Sequence, residues 1–233
     1  MLRLPLCLAC LVFMVAYLAA GGKGHRVAAA VLKGCASASF VLVAVAGAGA
    51  AVSSGAAALV PATGPSRATL VLAGLCAGAI ADVVINLRRV FASRKLQFCV
   101  VGAAAFLAGH VAYAASVWHQ CERPAVAVVS GIAVTVLLMA CVVRRVKVTA
   151  KLVVFGALYI GVVAVTCCLA AGAYAATTAS QDLAFAGGIL LFLASDVVLV
   201  LNDFGEKPRE TVHAFSLTMY YAGQLLIALS IGL

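Results

Sequence analysis

The chain has 233 residues, of which 66% are hydrophobic and only 10% are charged. That is too little polar surface to cover a water-soluble globule, and too much hydrophobicity for disorder. The net charge of +9 would suit a nucleic-acid partner in a soluble protein. Here the basic residues stand at the ends of long apolar runs, where they act as topology signals, and no nucleic-acid partner is expected.

The apolar runs are continuous rather than alternating, which favours helices over a transmembrane barrel. Eight spans are predicted, at about 4–20, 27–51, 68–87, 97–117, 125–143, 152–174, 183–201 and 211–231. The expected fold is therefore all-α: a polytopic membrane bundle of eight transmembrane helices forming a single domain over 1–233. The first span, with Arg3 ahead of it and small residues near Ala19, has the look of a signal peptide. It is read as a retained span, because the other seven leave it a natural partner. Between the second and third spans, Ser53 to Arg67 carries Pro61, Gly64 and Pro65 and reads as an exposed loop.

Thirteen of the sixteen Lys and Arg residues fall on one side: Lys23, Arg26, Lys33, Arg88, Arg89, Arg94, Lys95, Arg144, Arg145, Lys147, Lys151, Lys207 and Arg209. Only Arg3, Arg67 and Arg123 fall on the other. This bias predicts a multi-pass cell-membrane protein with the basic loops in the cytoplasm and both termini outside it. Trp118 suits the outer interface. The nine cysteines show no paired CxxC motif and are read as small buried apolar residues.

A shift of 114 residues aligns Gly74 with Gly188, Asp82-Val83-Val84 with Asp196-Val197-Val198, and Ala108-Gly109 with Ala222-Gly223. His110 then falls on Gln224 and Lys33 on Lys147. In so Ala- and Val-rich a chain the raw identities say little; the alignment of two intramembrane Asp is the informative part. It suggests a parallel four-plus-four repeat, about 1–120 and 121–233.

Of the seven acids, Glu122, Asp182, Asp203, Glu206 and Glu210 are assigned to loops, which leaves Asp82 and Asp196 inside apolar helices. An ionisable group there costs about 2.5–3.5 kcal/mol at the bilayer centre on insertion scales, so each is expected to face the protein interior or a wet cavity. Two carboxyls sharing one cavity disfavour each other's ionisation, and such a pair can hold one acid and one anion for general acid/base work. His110 is the only His in the interior of a span, since His25, His119 and His213 lie at or near span ends, and Tyr113 shares its helix face. Tyr220, Tyr221 and Gln224 form a second polar cluster. Asn86 and Asn202 follow the two Asp, as head-group contacts or helix caps, and Ser195 precedes Asp196 without a GxSxG motif. No metal is expected, since no HExxH-like ligand spacing occurs, and no cofactor is implied.

Four stretches carry a resemblance. They are Gly78-Ala79-Ile80-Ala81-Asp82-Val83-Val84, Phe106-Leu107-Ala108-Gly109-His110-Val111-Ala112-Tyr113, Gly187 through Phe192 to Ser195-Asp196, and Tyr220-Tyr221-Ala222-Gly223-Gln224. In this order they resemble the YhhN-type family of eight-span proteins, whose characterised members are lysoplasmalogenases. Ala81 stands where the family often has Gly, and Lys33-Gly34 where it often has Lys-Pro. The resemblance implies hydrolysis of the sn-1 vinyl ether of a lysophospholipid, releasing a fatty aldehyde and glycerophosphoethanolamine or glycerophosphocholine. Asp82, Asp196 and His110 would be catalytic. Tyr113, Ser195, Tyr220, Tyr221, Gln224, Asn86, Asn202 and Lys33 would contact substrate, Lys33 through a phosphate. Membrane lipids are the other expected partners, and the oligomeric state stays open. The residues alone also admit a proton-coupled small-solute transporter or an intramembrane aspartyl protease, although the latter's GxGD is absent.

Overall fold

The structure is a computed structural model that describes residues 2–53, 65–146 and 149–233. The loop expected around Pro61 and Gly64, and the topology residue Lys147, lie outside the described residues. Among these residues there are eight α-helices and no strand: α1 (Arg3–Gly22), α2 (Arg26–Ser53), α3 (Arg67–Val90), α4 (Lys95–Val117), α5 (Pro124–Val143), α6 (Ala150–Thr177), α7 (Ser180–Asp203) and α8 (Glu210–Leu229). Each is long and apolar enough to cross a membrane, and the chain is a multi-pass membrane protein. A single 3₁₀ turn, Ala92–Arg94, joins α3 to α4.

Local chemistry sets the helix ends. Ser66 caps α3 by accepting from the Thr69 N–H at 3.1 Å. Pro124 opens α5, where its missing N–H costs nothing. Within the apolar helices, hydroxyls return to the carbonyl one turn back, as Ser39 does to Cys35 and Thr166 to Val162. That satisfies a donor for which lipid offers no partner.

The chain forms two compact units. The first comprises Met1–Ser116 together with Ala228–Leu233, and the second Val117–Ile227. In the first, α1 packs on α2 and α2 on α3. Residues 228–233 belong here because the Arg3 guanidinium donates to the carbonyls of Ile231 and Gly232, and Gly47 admits that contact. In the second, α5 packs on α6 and α6 on α7.

Small residues let certain helices approach closely. A Cβ on Gly109 of α4 would stand 3.0 Å from the Gly74 carbonyl oxygen of α3, and the Tyr113 ring lies directly over Gly74. In the second unit a Cβ on Gly223 of α8 would stand 2.7 Å from the Gly188 carbonyl oxygen of α7, and Ile227 covers Gly188. Each pair leaves no room for a methyl group.

Two readings of the sequence are corrected here. Asp182 is not in a loop: it sits in the first turn of α7, buried, with the Thr177 hydroxyl donating to it. The polar run Thr177 to Gln181 ended the apolar pattern, yet a helix N-terminus welcomes an acid. Asp203 and Glu210 are likewise terminal residues of helices, not loop residues. The cysteines are not uniformly buried either: Cys10 and Cys121 are, whereas Cys76 and Cys141 are exposed.

Candidate active site

Asp82 lies eight residues before the end of α3 and is only 2% exposed. Its carboxylate is met from α2. Lys33 Nζ stands 3.0 Å from Oδ1, and Ser37 Oγ stands 2.6 Å from Oδ2. Lys33 and Ser37 are one turn apart and share a face of α2. The Ser37 hydroxyl also lies 3.0 Å from the Lys33 carbonyl, but it has one proton, and the shorter distance directs that proton to the carboxylate. A buried carboxylate is tolerable only with such compensation. Lys33 is held further by the Tyr17 ring of α1, whose centroid is 5.6 Å from Nζ. Lys33, which the resemblance would set against a phosphate, stands here in an ion pair with Asp82.

Asn86 follows Asp82 by one turn and is buried, and its Nδ2 has no hydrogen-bond partner among the described residues. His110 and Tyr113 are both buried on α4, their rings edge to face at 5.4 Å. The α3–α4 register is fixed by Gly102 against Ala81 and Ile85, and by Gly109 against Gly74 and Ala77. That register sets His110 level with residues 74–77 of α3, roughly 10 Å along the helix axis from Asp82.

In the second unit Asp196 is half-buried on α7 and accepts a hydrogen bond from Tyr159 Oη of α6 at 2.8 Å. Ser195 turns to α8, in a reciprocal pair. Its hydroxyl donates to the Ser216 carbonyl and the Ser216 hydroxyl to the Ser195 carbonyl, each at 2.9 Å. The pair pins α7 to α8. Tyr220, Tyr221 and Gln224 are all buried, and Gln224 Nε2 donates to Tyr220 Oη at 3.2 Å. Phe192 packs edge-on to Tyr220 at 5.4 Å. Asn202 Oδ1 accepts from the Arg209 N–H at 2.9 Å, closing the turn into α8. It is a cap.

The structure thus groups Asp82 with Lys33, Ser37 and Asn86 in one unit, and Asp196 with Tyr159 in the other. Each aspartate is held from the helix preceding its own. Ser37, Tyr17, Tyr159 and Ser216 went unread in the sequence. Ser37 had a signal, one turn after an intramembrane lysine; a tyrosine or serine in an apolar helix otherwise carries none.

The eight apolar helices, with a paired lysine and carboxylate in one unit and a hydrogen-bonded carboxylate in the other, define an all-helical integral membrane protein with polar groups held inside its spans. The YhhN family is matched over residues 38–231, and the chain belongs to that family, whose known activity is lysoplasmalogenase-like. Asp82, His110, Asp196 and Gln224 all fall within the matched stretch, while Tyr17, Lys33 and Ser37 precede it. No curated protein and no solved structure matches the chain.

Proposed function

We propose that the protein hydrolyses the sn-1 vinyl ether bond of lysoplasmalogens, giving a fatty aldehyde and glycerophosphoethanolamine or glycerophosphocholine. Family membership supports the reaction class. The observation that carries the assignment of roles is the ion pair and hydrogen bond holding Asp82.

A vinyl ether resists base and yields to acid. The reaction needs a proton donor, an anion to stabilise the cation and a water molecule. Asp82, which faces the Lys33 ammonium and accepts from the Ser37 hydroxyl, is assigned the role of the anion. Asp196, held by the Tyr159 hydroxyl, is assigned the role of the proton donor. In this reading the Asp196 carboxylic acid protonates the outer alkene carbon, leaving an oxocarbenium ion for a carboxylate to stabilise. Water adds to the cationic carbon and returns a proton to Asp196. The resulting hemiacetal passes its hydroxyl proton to the glycerol oxygen as the C–O bond breaks, releasing aldehyde and alcohol. Glycosidases manage a related cation with a similar division of labour. His110, two turns from Asp82, acts through water. Tyr113, Tyr220, Tyr221, Gln224 and Asn86 orient the lipid. Ser195 and Asn202 are left to their structural bonds.

Purified protein incubated with lysoplasmenyl-ethanolamine is expected to release free aldehyde, and no fatty acid from the matched ester lysolipid. Fatty acid from the ester would mark a phospholipase instead; no aldehyde would refute the reading. We further propose that the basic helix ends face the cytoplasm. Labelling of a cysteine introduced beside Arg94 only after the membrane is permeabilised would support that orientation, and labelling of intact cells would refute it.

A further inference from the structure

Along α3, Asp82, Asn86 and Arg89 stand at i, i+4 and i+7, on one helix face. Arg89 is about 10 Å along the axis from Asp82, in the last turn of the helix. Its guanidinium lies over the Tyr17 ring, with Cζ 5.8 Å from the centroid. Tyr17 is buried, so the same ring positions two cations, Lys33 and Arg89. Their fates differ. Lys33 is neutralised by Asp82. No carboxylate among the described residues pairs with Arg89, and Arg26 of α2 brings a further positive charge to it, donating to the Arg89 carbonyl at 3.5 Å. Between the two ends sits Asn86, 3% exposed, with its Nδ2 unsatisfied among the described residues. A buried amide donor left empty is costly unless a ligand fills it.

We infer that this face of α3 is a binding track for a glycerophospholipid head: Arg89, positioned by Tyr17 and aided by Arg26, holds the phosphate, Asn86 Nδ2 donates to a glycerol oxygen, and the sn-1 ether comes to lie at Asp82. The phosphate and the sn-1 oxygen stand at opposite ends of one glycerol, which matches the order of the three side chains. A guanidinium suits a phosphate because its fork can donate twice to it. The assignment rests on the hydrolase reading for its catalytic end only; the phosphate end is a statement about binding.

The test is binding of a non-hydrolysable 1-alkyl lysophospholipid against the 1-alkylglycerol that lacks the phosphate, with aldehyde release followed in the same preparations. The wild-type protein is expected to prefer the phosphorylated lipid by about tenfold or more. Arg89→Gln should erase that preference while leaving the affinity for alkylglycerol unchanged, and Arg89→Lys should keep part of it. Asn86→Leu should weaken both lipids alike. Glycerophosphoethanolamine should compete better than inorganic phosphate if the track reads a glycerol ester. Equal competition would mean a simple anion site and would overturn the register. An unchanged preference in Arg89→Gln, or its loss in Arg89→Lys and Arg89→Gln alike, would overturn Arg89 as the phosphate anchor. Phosphate-dependent binding without aldehyde release would refute the hydrolase reading and leave the anchor standing.

Discussion

Lys33 Nζ stands 3.0 Å from Asp82 Oδ1, and 13% of the lysine side chain is exposed. Removing one member of such a pair strands the other. Lys33→Met is therefore expected to destabilise the first unit by on the order of 3 kcal/mol. The double variant Lys33→Met/Asp82→Leu should recover most of that loss without recovering activity. Thermal unfolding in detergent reads the first effect and aldehyde release the second. A double variant no more stable than Lys33→Met would refute the pairing as the source of the cost.

Asp82→Asn and Asp196→Asn each remove a charge and keep the shape. Both are expected to lower aldehyde release by roughly a hundredfold or more while the protein still inserts and folds. An aspartate whose variant stays fully active has no part in the proposed reaction.

Tyr159 touches Asp196 through one hydroxyl. Tyr159→Phe deletes that atom alone, and kcat should fall by about tenfold with KM little changed, because the group orients the acid and not the lipid. A variant with raised KM and unaltered kcat would place Tyr159 against the substrate instead.

The reciprocal bonds of Ser195 and Ser216 are expected to act as a helix clamp. Ser195→Ala and Ser216→Ala should each destabilise modestly, and together by less than their sum, with a coupling of about 0.6 kcal/mol. Aldehyde release by folded Ser195→Ala should match the wild type. A large loss of activity at unchanged stability would return Ser195 to the substrate site.

The glycine contacts make a graded prediction. Gly223→Ala should destabilise more than Gly109→Ala, since the added carbon meets a backbone oxygen at 2.7 Å in the first and 3.0 Å in the second. Each cost should lie at about 1–3 kcal/mol. Gly156→Ala, with nothing within 4 Å, is the control and should be nearly neutral. Unfolding midpoints in one detergent rank the three.

All eight helices were legible in the sequence because the bilayer demands long apolar segments, and hydropathy reads that demand directly. Asp82 and Asp196 were legible for the same reason in reverse, as charges where charge is expensive. What surrounds them was not. Lys33 reads in the sequence as a topology residue and, by the resemblance, as a phosphate contact; its partner on α3 is not visible there. Tyr159 is indistinguishable in sequence from a tyrosine packed against lipid; only the adjacency of α6 and α7 brings its hydroxyl to a carboxylate. Asp182 was misplaced because hydropathy windows see composition, whereas a helix begins where its amides find an acceptor. Side chains that act across helices depend on register, and a single chain does not display register before it folds.

Arg3 and Ile231 are 228 positions apart, yet the guanidinium of one grips the carbonyl of the other. Every residue between them must be made before that contact can form. The first unit therefore stays unfinished while the second is being threaded into the lipid, and no quality check on the nascent amino-terminal half can find it complete. Truncating 228–233 removes few atoms, but it unlatches the part of the protein that was made first.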